Sequence, residues 1–214
     1  MSHYIEIVLM KKAYEALAKN PANYIPLTPI SFLQRTADIY GEREAIIYGD
    51  RSYSWSQCNE RCLRMASSLT ELGISKGDTV AVLAFNTPEM FEAHFFVPMT
   101  GAVLNTINTR LDAETLSYIL DFGEVKAMVV DRELLPLLQS ALQKTKSNPI
   151  LILVDDETAV DKPDVELEVR HYEELLNSGD PKFSYPPLED EWQALSLNYT
   201  SGTTGKPKGV VYHH

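Results

Sequence analysis

Basic residues, cysteines and long apolar runs are all scarce in this sequence of 214 residues, and each scarcity excludes a class of protein. The 19 lysines and arginines stand against 30 aspartates and glutamates, a formal net charge of −11, and no stretch forms the basic patch that binds nucleic acid. No apolar run approaches the 18 or more residues of a membrane-spanning helix. We therefore expect neither a nucleic-acid-binding protein nor a membrane-spanning one.

The two cysteines and the first residues bear on the compartment. Cys58 and Cys62 lie four residues apart, and no further cysteine completes a zinc-binding set. We expect a reduced pair on the buried face of a helix. Residues 1–12 carry Glu6 inside a short apolar run and precede no small-residue cleavage site, so they are not typical of a signal peptide. The predicted compartment is the cytoplasm.

The negative charge is concentrated in one stretch near the end of the sequence. Residues 155–191 hold 13 of the 30 acidic residues and only three basic ones. Four of the 12 prolines also lie there. A run of like charges is most often a solvated face, so we expect this stretch to be a surface excursion before the final strand.

Strand and helix patterns alternate about five times with short connections, after a predicted N-terminal arm at residues 1–29. Ser54 and Gln57 form the Ser-x-x-Gln pattern of a capping box before an amphipathic helix. Thr87 and Asp112 are the predicted N-caps of two further helices. The sequence therefore predicts an α/β fold over residues 30–214, with mostly parallel sheets and covering helices.

The most informative stretch is YTSGTTGKPKGVVYHH, residues 199–214, which follows a predicted strand. Its glycines permit close backbone approach, and its amides and hydroxyls suit the oxygens of a phosphate group. Its lysines add positive charges that can reach an anion. The stretch does not have the Walker A register, and a strand pattern follows it instead of a helix. Loop amides and side chains, without a helix N-terminus, are therefore expected to hold the phosphate.

The segment YTSGTTGKPKGV resembles the phosphate-binding signature of the adenylate-forming enzymes, which include acyl-CoA synthetases, 4-coumarate–CoA ligases, luciferases and adenylation domains. The resemblance extends over nearly the whole chain, including residues 27–55 and 66–120. It implies that this is the N-terminal part of the large domain of such an enzyme. The phosphate-binding residues implied by the motif are Thr200, Ser201, Gly202, Thr203, Thr204, Gly205, Lys206 and Lys208, with Gly209 contributing to the approach and mobility of the loop.

The resemblance implies a two-step ligation. A carboxylate attacks the α-phosphate of Mg²⁺-bound ATP to form an acyl-adenylate, and the thiol of coenzyme A then displaces AMP. The loop holds the β- and γ-phosphates and stabilises the departing pyrophosphate. The implied substrate is a small-molecule carboxylic acid, either a medium-chain fatty acid or a benzoate-like acid. Some plant relatives are peroxisomal, which is the alternative to a cytoplasmic location.

The sequence does not contain the other motifs of the family, including the lysine of the adenylation step, so no catalytic residue and no metal ligand are assigned within residues 1–214. We expect a fragment that lacks the C-terminal domain, is inactive alone and self-associates through an exposed, truncated face. A non-catalytic binding or interaction module is the alternative. His213 and His214 face opposite ways on a strand, so a structural or near-site role is expected instead of a metal pair. His94 and the aromatic residues Phe91, Phe95 and Phe96 are expected to pack in the core.

Overall fold

A computed structural model describes residues 17–20, 22–164, 166–200 and 205–214 of the chain. Residues 17–20 and 22–28 contain no helix or strand. Six α-helices follow in the described residues: α1 (Pro29–Tyr40), α2 (Trp55–Glu71), α3 (Pro88–Met99), α4 (Ala113–Phe122), α5 (Leu135–Leu142) and α6 (Tyr172–Ser178). A 3₁₀ turn, Arg132–Leu134, leads into α5. No helix among the described residues is long and apolar enough to cross a bilayer.

Nine strands form two sheets in the described part of the chain. They are β1 (Glu44–Tyr48), β2 (Arg51–Ser54), β3 (Thr79–Leu83), β4 (Val103–Thr106), β5 (Val125–Asp131), β6 (Ile150–Val154), β7 (Arg170–His171), β8 (Ala194–Thr200) and β9 (Lys208–His213). Strands β1 and β2 form an antiparallel hairpin, and the other seven form one sheet in the order β7-β6-β5-β3-β4-β8-β9. All neighbours in this sheet are parallel except β8 and β9. The prediction of an α/β fold with a mostly parallel sheet is confirmed.

Both faces of the large sheet are buried, which explains the nearly continuous apolar runs of its central strands. Val80 and Val82 of β3 belong to the core that α1, α2, α3 and α6 cover. Ala81 and Leu83 of the same strand belong to the core beneath α4 and α5. Successive side chains of a strand alternate between faces, so one short strand contributes to both cores.

The predicted helix starts are confirmed. Ser54 and Gln57 form both halves of a capping box at α2, and the side chains of Thr87 and Asp112 accept the backbone amides that open α3 and α4. The cysteines are free and fully buried on α2, as their spacing predicts. These local signals fix where three of the helices covering the sheet begin.

The prediction that residues 155–191 form only a surface excursion is wrong. Strand β7 and helix α6 lie in this stretch, and Tyr172 and Leu176 are buried in the core. A Cβ atom on Gly179 would lie 1.9 Å from the carbonyl oxygen of Arg64, so the end of α6 contacts the backbone of α2 directly. The prediction counted the acidic residues of the whole stretch. That count did not reveal the apolar residues of α6, which are spaced three and four positions apart and form one buried face.

A buried ion pair joins α2, α3 and α6. The guanidinium of Arg61 donates to Glu92 at 2.5 and 3.3 Å and to Glu173 at 2.7 and 3.1 Å, and the Tyr172 hydroxyl donates to Glu92 at 2.7 Å. The side chain of Glu92 is fully buried, whereas that of Glu173 is 53% exposed. Burial raises the pKa of Glu92, although Arg61 and Tyr172 oppose this shift. The three helices are therefore joined by a contact in which the charges of Arg61 and Glu92 are almost entirely removed from water, whereas that of Glu173 is half exposed.

A second buried carboxylate lies at the end of β5. One oxygen of Asp131 caps the following 3₁₀ turn by accepting the Glu133 amide at 3.0 Å, and the other has no partner among the described residues. Burial raises the pKa of Asp131, and the charges of Asp156, Glu133 and Glu89 raise it further. The folded state therefore holds this proton more tightly than the unfolded state.

We expect Asp131→Asn to stabilise the protein, and to do so more at pH 8 than at pH 5. A carboxyl group whose pKa is higher in the folded than in the unfolded state contributes stability at any pH below its unfolded-state pKa. This contribution is lost as the pH rises through its folded-state pKa. Asparagine keeps the cap and removes the charge, so the gain should grow between pH 5 and pH 8. Urea unfolding at several pH values measures it, with the exposed Asp38→Asn as the control for the same substitution on the surface. A loss of stability that is greatest at pH 8 would contradict the prediction.

Candidate phosphate-binding hairpin

The predicted phosphate-binding stretch connects β8 to β9 in an antiparallel hairpin at the edge of the large sheet. Thr200 is the last residue of β8 and pairs with Lys208, the first residue of β9. The strand predicted to follow the loop is confirmed. Because β8 runs parallel to β4, the hairpin turn lies at the carboxyl edge of the parallel strands, where α/β sheets bind ligands.

Two side chains of β4 fasten the hairpin to the sheet. The β4–β8 register contains one paired position, Leu104 with Ser196. The amide of the fully buried Asn105 donates to the Leu197 carbonyl at 2.6 Å. The Thr106 hydroxyl donates to the Asn198 side chain at 2.8 Å. These side-chain bonds supplement the sparse backbone pairing and hold the base of the loop in place.

The structure describes four of the eight predicted phosphate-binding residues. Thr200, Gly205, Lys206 and Lys208 are exposed around the mouth of the hairpin. Gly205 has a φ of 118°, a conformation that side-chain-bearing residues rarely adopt. The other four, Ser201, Gly202, Thr203 and Thr204, lie outside the described residues. The structure therefore places both ends of the predicted phosphate loop.

The two lysines of the motif lie on different sides of the hairpin. Directly paired residues in an antiparallel ladder share a face, so Lys208 lies on the face of Thr200. Tyr199 is on the opposite face, where its ring packs against the core beneath α4 and α5. The Lys206 ammonium lies on this α4 side, 5.0 Å from the centre of the Tyr118 ring. The lysines thus do not converge on one point in this structure.

A glycine is required at position 209 because β9 packs closely against β8 there, and not because the backbone adopts an unusual angle. It pairs with Tyr199, and a Cβ atom there would lie 3.0 Å from Leu197 Cδ1 and 3.6 Å from the Tyr199 ring. The Tyr199 hydroxyl is buried and has no partner among the described residues, and burial raises its pKa. The start of β9 is therefore packed tightly against β8 at the residue expected to give the loop mobility.

Comparison with known proteins identifies the family that carries this hairpin. The family described as "AMP-binding enzyme" matches residues 33–214, which is most of the chain. This chain belongs to the AMP-binding enzyme family. The sequence resemblance to adenylate-forming enzymes is thereby confirmed.

Plant CoA ligases are among the similar curated proteins. The chain is 45% identical over 209 residues to acetate–CoA ligase CCL3 of Humulus lupulus, covering 92% of this chain and 37% of that protein. It is 45% identical over 217 residues to the peroxisomal trans-cinnamate:CoA ligase of Petunia hybrida, covering 94% of this chain and 37% of that protein. The chain thus spans little more than a third of the length of these relatives.

The solved structure of an anthranilate CoA ligase, AuaEII, in complex with anthranoyl-AMP shares the fold. Its TM-score with this chain is 0.79 at 22% identity, over 92% of this chain and 36% of that one. At this identity the similarity shows the fold alone. It supports the architecture of this AMP-binding enzyme family member independently of the hairpin motif.

The two histidines at and just after the end of β9, His213 and His214, contact different parts of the protein. His213 stacks on Trp192, with ring centres 4.1 Å apart. The Nδ1 atom of His214 lies 2.9 Å from the hydroxyl of Thr28, the N-cap of α1, and burial lowers the pKa of this histidine. In the described part of the chain, no group of three or more His, Cys, Asp or Glu side chains is arranged to hold a metal ion.

The prediction that His94 is packed in the core is wrong. His94 is exposed, and its Nδ1–H donates to the Met90 carbonyl at 2.9 Å. With Met90 and Phe91 it lines a cavity of about 440 Å³ between α3 and the β1–β2 hairpin. Phe96 is fully buried as predicted, whereas Phe91 is 36% exposed. Helical spacing assigned these residues to a face of α3 but did not show that the hairpin leaves part of that face open.

Proposed function

We propose that the β8–β9 hairpin holds the β- and γ-phosphates of ATP, and that the chain is part of an acid–thiol ligase. The enzyme forms an acyl-adenylate from a carboxylic acid and ATP, and then transfers the acyl group to coenzyme A. The pairing of Thr200 with Lys208 carries this proposal, because it presents a hydroxyl and a positive charge together at the mouth of the loop.

The described donor groups suit an anionic polyphosphate. The Thr200 hydroxyl can donate a hydrogen bond to a phosphate oxygen, and Lys208 supplies a flexible positive charge. Donors fixed before the reaction stabilise the negative charge that develops as pyrophosphate leaves. We further propose that Ser201, Thr203 and Thr204 contribute hydroxyls, with Gly202 and Gly205 allowing the backbone to approach the phosphates.

Magnesium and coenzyme A complete the proposed reaction. Magnesium prefers oxygen ligands and commonly binds through the phosphates of a nucleotide with few protein ligands. We therefore propose that it reaches this site with ATP, where it neutralises phosphate charge. No described residue is assigned to coenzyme A.

The proposed acid is a small monocarboxylate. The names of similar proteins include acetate, butyrate, 2-methylpropanoate and trans-cinnamate as acids. Most of these acids are aliphatic, which favours an aliphatic over a benzoate-like acid, but they are shorter than the medium-chain acids expected from the sequence. A peroxisomal location is the proposed alternative to the cytoplasm, because several of these relatives carry that term in their names.

Tripolyphosphate binding to the 214-residue chain tests the phosphate site without requiring the adenine or acid pocket. We expect saturable 1:1 binding in isothermal titration calorimetry, weakened by added salt because exposed charges are screened. Lys208→Met should lower the affinity about tenfold, corresponding to the loss of one charge-assisted contact of roughly 1.4 kcal/mol. The exposed Lys182→Met is the matched control, since it makes the same charge change away from the hairpin. Equal losses in the two variants would contradict a specific site.

A further inference from the structure

We propose that Lys206 and Tyr118 form an anchor that fixes the C-terminal end of the phosphate loop to helix α4, leaving Lys208 as the lysine that serves the phosphates. This inference rests on the proposed function, because it assigns different roles to two lysines that would otherwise both be expected to bind the phosphates. Tyr118 is a positioning residue in this proposal, since it acts on the site through Lys206.

The contact has the geometry of a cation–π interaction. The Lys206 ammonium lies 5.0 Å from the centre of the Tyr118 ring, within the range over which the ring attracts a cation. Tyr118 is itself held on α4 by stacking with Phe122, with ring centres 5.4 Å apart and planes 16° from parallel. The ring is therefore supported by a second aromatic side chain of the same helix.

The backbone on both sides of Lys206 favours this role. Pro207 fixes its own φ and restricts the preceding residue to extended conformations, which limits the directions in which the Lys206 side chain can leave the loop. Strand β9 begins directly afterwards at Lys208 and is paired with β8. A contact that holds Lys206 therefore also holds the end of the loop relative to β9.

Charges around the contact favour a cation on this side of the hairpin. Lys206 and Tyr118 line a cavity of about 290 Å³ together with Asp112 and Glu114, at the start of α4. These carboxylates attract an ammonium group and oppose a phosphate. The same cavity is thus suited to keep Lys206 and unsuited to bind the polyphosphate.

The strand register assigns the other lysine to the phosphates. Lys208 shares the face of Thr200, opposite the face of Tyr199 and α4. A phosphate beside the Thr200 hydroxyl is on the side of Lys208, and Lys206 would have to leave Tyr118 and cross the hairpin to reach it. One lysine therefore positions the loop and the other meets its ligand.

The anchor can be observed without any ligand. In the chain labelled with ¹³C-lysine, the ring current of Tyr118 should move the ε-methylene resonance of Lys206 upfield of that of Lys208. Tyr118→Leu should return it to the position of an exposed lysine, and tripolyphosphate should leave the wild-type shift in place. An unshifted Lys206 resonance in the free chain, or the loss of its shift on adding tripolyphosphate, would overturn the proposal.

A double-mutant cycle then tests the effect on binding. Lys206→Met and Tyr118→Leu should each weaken tripolyphosphate binding about two- to fivefold, the size of an exposed cation–π contact, and the double variant should lose no more than either single variant. Lys206→Arg should retain wild-type affinity, because a guanidinium also stacks on an aromatic ring. The loss from Lys208→Met should add fully to that from Tyr118→Leu.

The two proposals fail in different ways. If the wild-type chain does not bind tripolyphosphate, the proposed function fails, and the lysine resonance still decides whether the anchor exists. If binding occurs but the losses from Lys206→Met and Tyr118→Leu are additive, or if Lys206→Arg fails to rescue, the anchor is wrong and Lys206 contacts the ligand directly. Circular dichroism of each variant tests whether the fold is retained.

Discussion

Replacing Glu92 with alanine is expected to lower the free energy of unfolding by about 3–5 kcal/mol, a large part of the stability of a typical domain. The reason is that the change removes one partner of a buried ion pair. The Arg61 side chain, only 12% exposed, would lose its bonds to Glu92, and the buried Tyr172 hydroxyl would lose its acceptor. Urea unfolding followed by circular dichroism measures this loss.

Two matched variants separate the buried charge from other effects. Glu173→Ala removes the half-exposed partner of the same arginine and should cost less than about 1 kcal/mol, since exposed ion pairs contribute little. The triple variant Arg61→Met, Glu92→Leu, Tyr172→Phe removes the three buried polar side chains of the contact, leaves the half-exposed Glu173 to water, and should recover most of the stability lost in Glu92→Ala. A Glu92→Ala protein no less stable than Glu173→Ala would contradict this account of how α2, α3 and α6 are joined.

Local signals in the sequence predicted the parts of the fold that depend on neighbouring residues. Ser54 and Gln57 lie three residues apart, so the capping box could be recognised without knowledge of the fold. Thr87 and Asp112 acted in the same way at the next two helix starts. The apolar run beginning at Thr79 indicated a strand covered on both faces, because only a buried strand tolerates such a run.

The contacts that the sequence did not predict join residues far apart in the chain. Arg61, Glu92 and Tyr172 come from three helices, and no local pattern indicates that they meet. The acidity of residues 155–191 concealed Tyr172, since a charge count averages over a helix with one buried face. His94 was misassigned because helical spacing does not show which part of α3 the β1–β2 hairpin leaves open.

The candidate site likewise combines a feature that the local sequence predicts with contacts that depend on the fold. The motif at residues 199–209 predicted a phosphate loop after a strand, and the family match is consistent with that interpretation. The opposite positions of Lys206 and Lys208 could not be predicted, because they depend on the pairing of β8 with β9 and on the position of α4.

The largest effect on activity is expected from Lys208 during adenylation. Lys208→Met should lower the rate of ATP–pyrophosphate exchange on the order of 100-fold, the usual size for removing one group that stabilises charge in a transition state. Lys182→Met should leave the rate unchanged. A chimeric ligase makes the measurement, with this chain replacing the matching N-terminal region of acetate–CoA ligase CCL3, to which it is 45% identical.

Exchange of ATP with pyrophosphate by that chimera, in the presence of acetate, tests the proposed function most directly. If this chain supplies the phosphate-binding hairpin of an acid–CoA ligase, the chimera should catalyse acetate-dependent exchange within about tenfold of CCL3, and Lys208→Met should lower that rate on the order of 100-fold. A chimera that is monodisperse and cooperatively folded but shows no acetate-dependent exchange, or one whose exchange is unaffected by Lys208→Met, would contradict that role.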